Sequence, residues 1–141
     1  MRPTPVNEEV TFEDAGVVNR PIISKTDLKG IITYVNNAFC KLSGYSKNEL
    51  IGKPHNIIRH PDMPKSIFKQ LWSTIEKGDK FRGFLKNLRK DGKYYWVEVF
   101  IEPIFDENGT KIGYISTRKQ VSESDKTKYE QLYQEMKKKE E

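Results

Sequence analysis

The sequence predicts an α+β fold, a five-stranded antiparallel sheet with short helices on one face and an added C-terminal amphipathic helix. Three observations carry that expectation. Runs rich in β-branched and aromatic residues stand at both ends of residues 20–121, while helical periodicity is confined to the middle. Turn residues sit between the runs: Asp27 and Gly30, then Asp91-Gly92, then the tetrad from Asp106 to Gly109. The 141 residues, 11% of them aromatic, suit one domain with short extensions and a substantial core.

Residues 1–19 are acidic and weakly patterned, and read as a mobile arm or cap with at most a short helix over 8–14. Residues 20–121 form the domain. Its first two strands, 21–24 and 31–35, make a hairpin. Asn36 then suits a helix N-cap, and Ala38, Phe39, Leu42 and Tyr45 give one buried helical face that stops near Gly44. Ser46 and Glu49 match a capping box, opening a short helix closed by Gly52. After a proline-rich loop, Ile67, Leu71 and Ile75 recur at helical spacing with Phe68 and Trp72 beside them. Pro64 suits the first position of that helix, with Asp62 or Met63 at its cap. From Phe81 the period shortens to two. Val97, Val99 and Ile101 share one face of a long strand, and Trp96, Glu98, Phe100 and Glu102 the other. The last strand covers 112–121.

Charge excludes little but narrows the partners. Residues 16–121 carry nineteen basic and ten acidic groups, a net of +9. The basic residues are scattered, which fits a solvated surface and argues against a nucleic-acid stripe. One cysteine, Cys40, rules out an internal disulfide. No stretch approaches the length of a membrane span and no signal-peptide pattern opens the chain, so a cytoplasmic location without membrane insertion is expected. No nucleophile–base pair or phosphate-cradling glycine loop appears, and no enzyme activity is expected.

The loop over 54–64 concentrates the chemistry: both histidines, three of seven prolines, Arg59 and Asp62. Arg59 lies just before a helix N-terminus and suits an anion such as pyrophosphate, or a surface pair with Asp62. His60 suits a phosphate or ribose contact, or a bond to the loop's own backbone. Asp62 reads as a helix cap rather than a ligand. Asn87 offers a donor and an acceptor within an apolar and basic strand. Phe68, Trp72 and Trp96 are core aromatics whose apolar walls would equally take a planar cofactor. A metal site from His55, His60 and Asp62 matches no ligand motif. Either histidine could be an axial haem ligand.

The series Asp27-x-x-Gly30-x-Ile32, Asn36-x-Ala38-Phe39-x-x-Leu42-x-Gly44-Tyr45 and Glu49-Leu50-x-Gly52-Lys53 resembles the opening half of a PAS sensory domain. Asp91-Gly92, Trp96-Val97, Pro103-Ile104 and Gly113-Tyr114 resemble its closing half. A narrower likeness, Pro54-His-Asn with Arg59-His-Pro-Asp-Met-Pro-Lys65, Trp72 and Lys86-Asn87-x-Arg89-Lys90, is similar to the FAD-binding PAS domains of bacterial aerotaxis receptors and related energy-taxis proteins. That resemblance implies a redox sensor in which Arg59, His60 and Asp62 belong to the FAD-binding region. It also implies that Asn36, Phe68, Trp72 and Asn87 line or support the pocket. Phe81 departs from the Trp expected there. Aerotaxis receptors continue into a membrane anchor and signalling domain, whereas this chain stops at Glu141. The expected arrangement is therefore a PAS protein acting through a separate membrane-bound chemotaxis transducer. The alternatives are a haem-binding domain, a ligand-free dimerisation or docking module in which the chain forms a homodimer, and a regulatory fragment of a longer signalling protein.

Residues 122–141 read as a distinct signalling helix. Ser122 suits its cap, and Tyr129, Leu132, Tyr133 and Met136 make one apolar stripe on a highly charged surface. That stripe is expected to meet a partner.

Overall fold

The computed structural model describes residues 2–141. Five strands, β1 (Ile22–Thr26), β2 (Ile32–Val35), β3 (Phe81–Leu88), β4 (Tyr94–Phe105) and β5 (Lys111–Lys119), form one antiparallel sheet in the order β2-β1-β5-β4-β3. The helices α1 (Asn37–Ser43), α2 (Lys47–Leu50) and α3 (Lys65–Glu76), with a 3₁₀ turn at His55–Ile58, connect β2 to β3. A last helix, α4 (Glu123–Lys139), follows β5.

Local chemistry sets the boundaries. Asn36 caps α1 by accepting from the Phe39 N–H at 3.0 Å. Ser46 and Glu49 close a reciprocal capping box on α2. Both match the expectation, because each motif is satisfied within four residues. At α3 the expected cap is absent. Pro64 is the N-cap residue itself, extended at ψ 138°, and no side chain of its own segment bonds the first turn. Asp62 instead pairs with Lys86, its Oδ2 3.0 Å from Nζ.

The two sheet faces have different covers. On one, Val97, Val99 and Ile101 are buried with Phe39, Leu42, Leu71 and Ile75 in the main core. On the other, α4 folds back onto β3 and β4. Tyr129 stacks on Phe84 at 4.2 Å, Tyr133 lies 6.1 Å from Trp96, and the Tyr133 hydroxyl donates to the Phe84 carbonyl at 2.6 Å. The expected partner stripe is thus corrected: Tyr129, Tyr133 and Met136 pack against the chain's own core, and Leu132 alone remains 41% exposed. Covering Phe84 and Trp96 removes more apolar surface from water than the stripe could bury on a helix left free. Tyr133→Ala is therefore expected to cost about 3 kcal/mol in urea unfolding, and Leu132→Ser to change stability by no more than about 0.5 kcal/mol.

The N-terminal segment also differs from the free arm expected. Val6 N–H donates to Gly92 O and Val10 N–H to Tyr94 O, both at 2.8 Å, and Tyr94 N–H donates to Glu8 O at 3.0 Å. Phe12 and Val17 join the buried core, and 12–16 form turns in place of a helix. Unpaired backbone groups beside the β3–β4 hairpin give this segment its partners.

Candidate functional site

Between the sheet and α3 lies a cavity of about 310 Å³. The end of β1 and the β1–β2 turn contribute Thr26, Lys29 and Gly30, the loop Pro54, His55, Asn56, Ile58 and Arg59, and α3 the side chains of Phe68, Leu71, Trp72 and Ile75. The floor is Leu85, Asn87, Val99, Ile101, Tyr114, Ser116 and Arg118. Gly30 makes the wall close. At φ +85° it adopts a conformation L side chains avoid, and a Cβ there would stand 2.9 Å from the Trp72 ring. Trp72 meets Tyr114 edge to face at 5.9 Å.

The buried side-chain atoms of the cavity that lack a partner are all donors. Arg118 is 3% exposed, and its guanidinium lies 5.0 Å over the Phe39 ring. One terminal nitrogen, Nη2, donates to Ser24 Oγ at 3.1 Å and to His55 Nε2 at 2.9 Å. Its Nε and Nη1 have no partner. Arginine only donates, so His55 Nε2 must be the unprotonated nitrogen and Nδ1 carries the proton. Burial first, then the Arg118 charge, pull the His55 pKa down to about 3, so the ring is neutral. Burial also draws Arg118 down to about 10, which leaves it charged at neutral pH.

Asn87 is buried on β3 with its Nδ2 unpartnered. Arg59 pairs through its backbone with Asn87, and its guanidinium lies 3.7 Å over the Phe68 ring with Nε unpartnered. These orphaned N–H groups belong to three residues, and all three line the cavity. Among the described residues no Asp or Glu borders it. A buried donor without a partner costs about 1–3 kcal/mol. The arrangement is built to meet acceptors, and negative charge above all.

Of the site residues expected from sequence, Arg59, Phe68, Trp72 and Asn87 are brought together here. Asn36, His60 and Asp62 are not. Asn36 spends its amide on local structure: Oδ1 accepts from Phe39 N–H and from Ile23 N–H at 3.2 Å, and Nδ2 donates to Pro21 O at 2.8 Å. His60 is buried outside the cavity, its Nδ1 accepting from the Asp62 N–H at 3.0 Å and its ring edge-on to Tyr94. Asp62 faces Lys86. The anion site expected at the start of α3 is filled internally, since the Lys65 and Ser66 N–H groups donate to the two carboxylate oxygens of Glu140, at 3.0 and 3.1 Å. Among the described residues no three His, Cys, Asp or Glu side chains group for a metal, His55, His60 and Asp62 included.

Sequence reasoning missed Arg118, Ser116, Ser24 and the partnership of His55. A signal was present on β5: Tyr114, Ser116 and Arg118 recur with period two and all face the cavity. The pairing of Ser24 opposite Ser116 depends on strand register across ninety-odd residues, which no local pattern encodes.

Comparison with known proteins agrees with this geometry. Residues 32–118 match the family described as PAS fold. The chain is 43% identical over 112 residues to the aerotaxis receptor of Escherichia coli strain K12, covering 79% of this chain and 22% of the receptor. It thus spans about a fifth of that relative's length. Among solved structures, the PAS domain of a protein from Colwellia psychrerythraea superposes with a TM-score of 0.65 at 33% identity, over 72% of this chain and 86% of that one. The dark structure of the blue-light photoreceptor Aureochrome1 LOV gives a TM-score of 0.69 over 93% and 91% of the two chains; at 23% identity it speaks for the fold alone.

Proposed function

The chain belongs to the PAS family, and from that premise we propose that its cavity holds FAD and that the domain senses redox state for energy taxis, signalling to a membrane-bound chemotaxis transducer. The observation that carries the reading is the set of unpartnered donors on Arg59, Asn87 and Arg118 in an aromatic-walled cavity without acids. A flavin ring fits such a site because it is planar and presents acceptor atoms along one edge, and the volume lies within the usual range for organic ligands.

Bound flavin supplies an electron store whose charge and hydrogen-bonding pattern change on reduction. The chain's own residues determine what that change does. Phe68 and Trp72 provide flat apolar contact. Asn87 offers donors from the sheet floor, and Arg118, steadied by Ser24 and His55, offers a fixed positive charge. Arg59 and Lys29 bring further positive charge suited to phosphates. His60 and Asp62 act from outside by fixing the loop that presents Arg59, and Asn36 by fixing the start of α1. A ligand shifts a conformational balance only through different contacts in its two states, and an unpaired buried cation makes the contacts differ strongly.

Haem is the weaker reading. Its axial ligand would be a histidine, yet His55 Nε2 is engaged by Arg118 and Ser24, and His60 lies outside the cavity. Likeness to an aerotaxis receptor supports the transducer as partner, and no described helix is long and apolar enough to cross a membrane. The absorbance of protein purified without added cofactor tests the proposal. Flavin bands that bleach with reductant are expected. A haem Soret band, or a colourless protein that takes up no added FAD, would overturn it.

A further inference from the structure

We infer that Arg2 of the N-terminal segment completes a pyrophosphate site at the rim of the cavity, joining Arg59 and Lys29 there. The inference rests on the flavin reading for the identity of the whole ligand and adds a residue which that reading does not use. A cavity of about 310 Å³ is near the lower end of the range for organic ligands. It suits a flavin ring, so the phosphates and adenosine of FAD would lie across its rim. There the loop supplies Arg59 and the β1–β2 turn the exposed Lys29, and among the described residues no Asp or Glu borders the cavity.

The backbone delivers Arg2 to this place. Its Nη2 donates to the Arg59 carbonyl. The segment behind it is anchored on the β3–β4 turn, where Val6 N–H donates to Gly92 O at 2.8 Å. Gly92, at φ +89°, lies so close that a Cβ would stand 2.3 Å from the Thr4 carbonyl oxygen. Pro3 and Pro5 restrict the few residues between that anchor and Arg2, so the segment is a short, stiff strap. It sets one guanidinium beside another. Arg59 is held over the Phe68 ring with its Nε buried and unpartnered. Burial first, and then the like charge of Arg2, lower the Arg59 pKa, and no carboxylate offsets them. Two guanidinium forks brought together against their repulsion suit a ligand with paired negative charges and several acceptor oxygens. Pyrophosphate is such a group, and binding it turns the repulsion between the arginines into shared attraction.

Calorimetric titration of the full chain, wild type and Arg2→Gln, tests the site with three probes: FAD, riboflavin and inorganic pyrophosphate. Riboflavin carries the same ring without phosphates and so reports the cavity alone. Arg2→Gln is expected to weaken FAD binding about tenfold, the worth of one charge-assisted hydrogen bond, and to leave riboflavin unchanged. Added salt is expected to weaken FAD more in the wild type than in the variant. Equal losses for FAD and riboflavin would make Arg2 a support of the loop, and an unchanged FAD affinity would leave it no role; either result overturns the site. A chain that takes up neither flavin overturns the flavin reading, and the third probe then decides separately. Pyrophosphate bound by the wild type and lost in Arg2→Gln upholds the site. Pyrophosphate held equally by both proteins, or by neither, overturns it.

Discussion

Arg118→Met is expected to stabilise the unliganded chain by about 1–3 kcal/mol while weakening FAD binding at least tenfold. In the free protein Arg118 is a buried charge whose only hydrogen-bond partners are neutral, Ser24 and His55, and two of its nitrogens bond nothing. Desolvating a charge without a counter-ion costs more than two neutral hydrogen bonds return. Methionine fills similar space without charge, and Ser24 remains 3.0 Å from His55 Nε2 to bond it. The ligand loses the one fixed cation on the cavity floor. Urea midpoints and FAD titration by calorimetry read the two effects separately. A variant less stable than the wild type with unchanged affinity would show that Arg118 is structural.

The second large effect is on acid stability. The His55 pKa lies at about 3 in the folded protein against 6.5 for an ordinary histidine, so the unfolded chain takes up its proton first as pH falls. The contribution is fully present above pH 6.5 and is lost progressively between 6.5 and 3. From pH 7 to 4.5 this amounts to about 2 kcal/mol, from 1.36 kcal/mol per unit reduced for the part of the ring that keeps some exposure. His60, also lowered by burial, acts in the same direction, so His55→Gln is expected to leave a shallower slope rather than none. Unfolding free energies measured across that range in both proteins give the difference directly. Equal slopes would mean that His55 takes up its proton as readily in the fold as in the unfolded chain.

Much of the architecture was legible because its signals are local. The strands Phe81–Leu88 and Tyr94–Phe105 follow from period-two patterning around Asp91-Gly92, and the caps at Asn36 and Ser46 from contacts within four residues. The resemblance assigned Asn36, Arg59, His60, Asp62, Phe68, Trp72 and Asn87 to one pocket; the structure brings Arg59, Phe68, Trp72 and Asn87 around the cavity and leaves Asn36, His60 and Asp62 outside it. What failed was long-range. An apolar stripe on α4 reads the same whether a partner or the chain's own sheet covers it, and the deciding surface, Phe84 with Trp96, lies on other strands. Asp62 had a cap's position and chemistry, but Lys86 and Glu140, far off in sequence, redistributed the roles: Lys86 took the aspartate and Glu140 took the helix N-terminus. Arg118 was hidden for the same reason. An arginine near a strand end reads as a surface charge until the sheet closes around it.

The reading of the cavity between the sheet and α3 as the seat of a flavin has a structural consequence. A crystal structure of the chain grown with FAD tests it most directly. Ring density is expected between Trp72 and the sheet floor, with the ring's acceptor edge against Asn87 Nδ2 and the free nitrogens of Arg118. Ring density elsewhere on the protein, or a cavity that stays without flavin at saturating FAD, would contradict it.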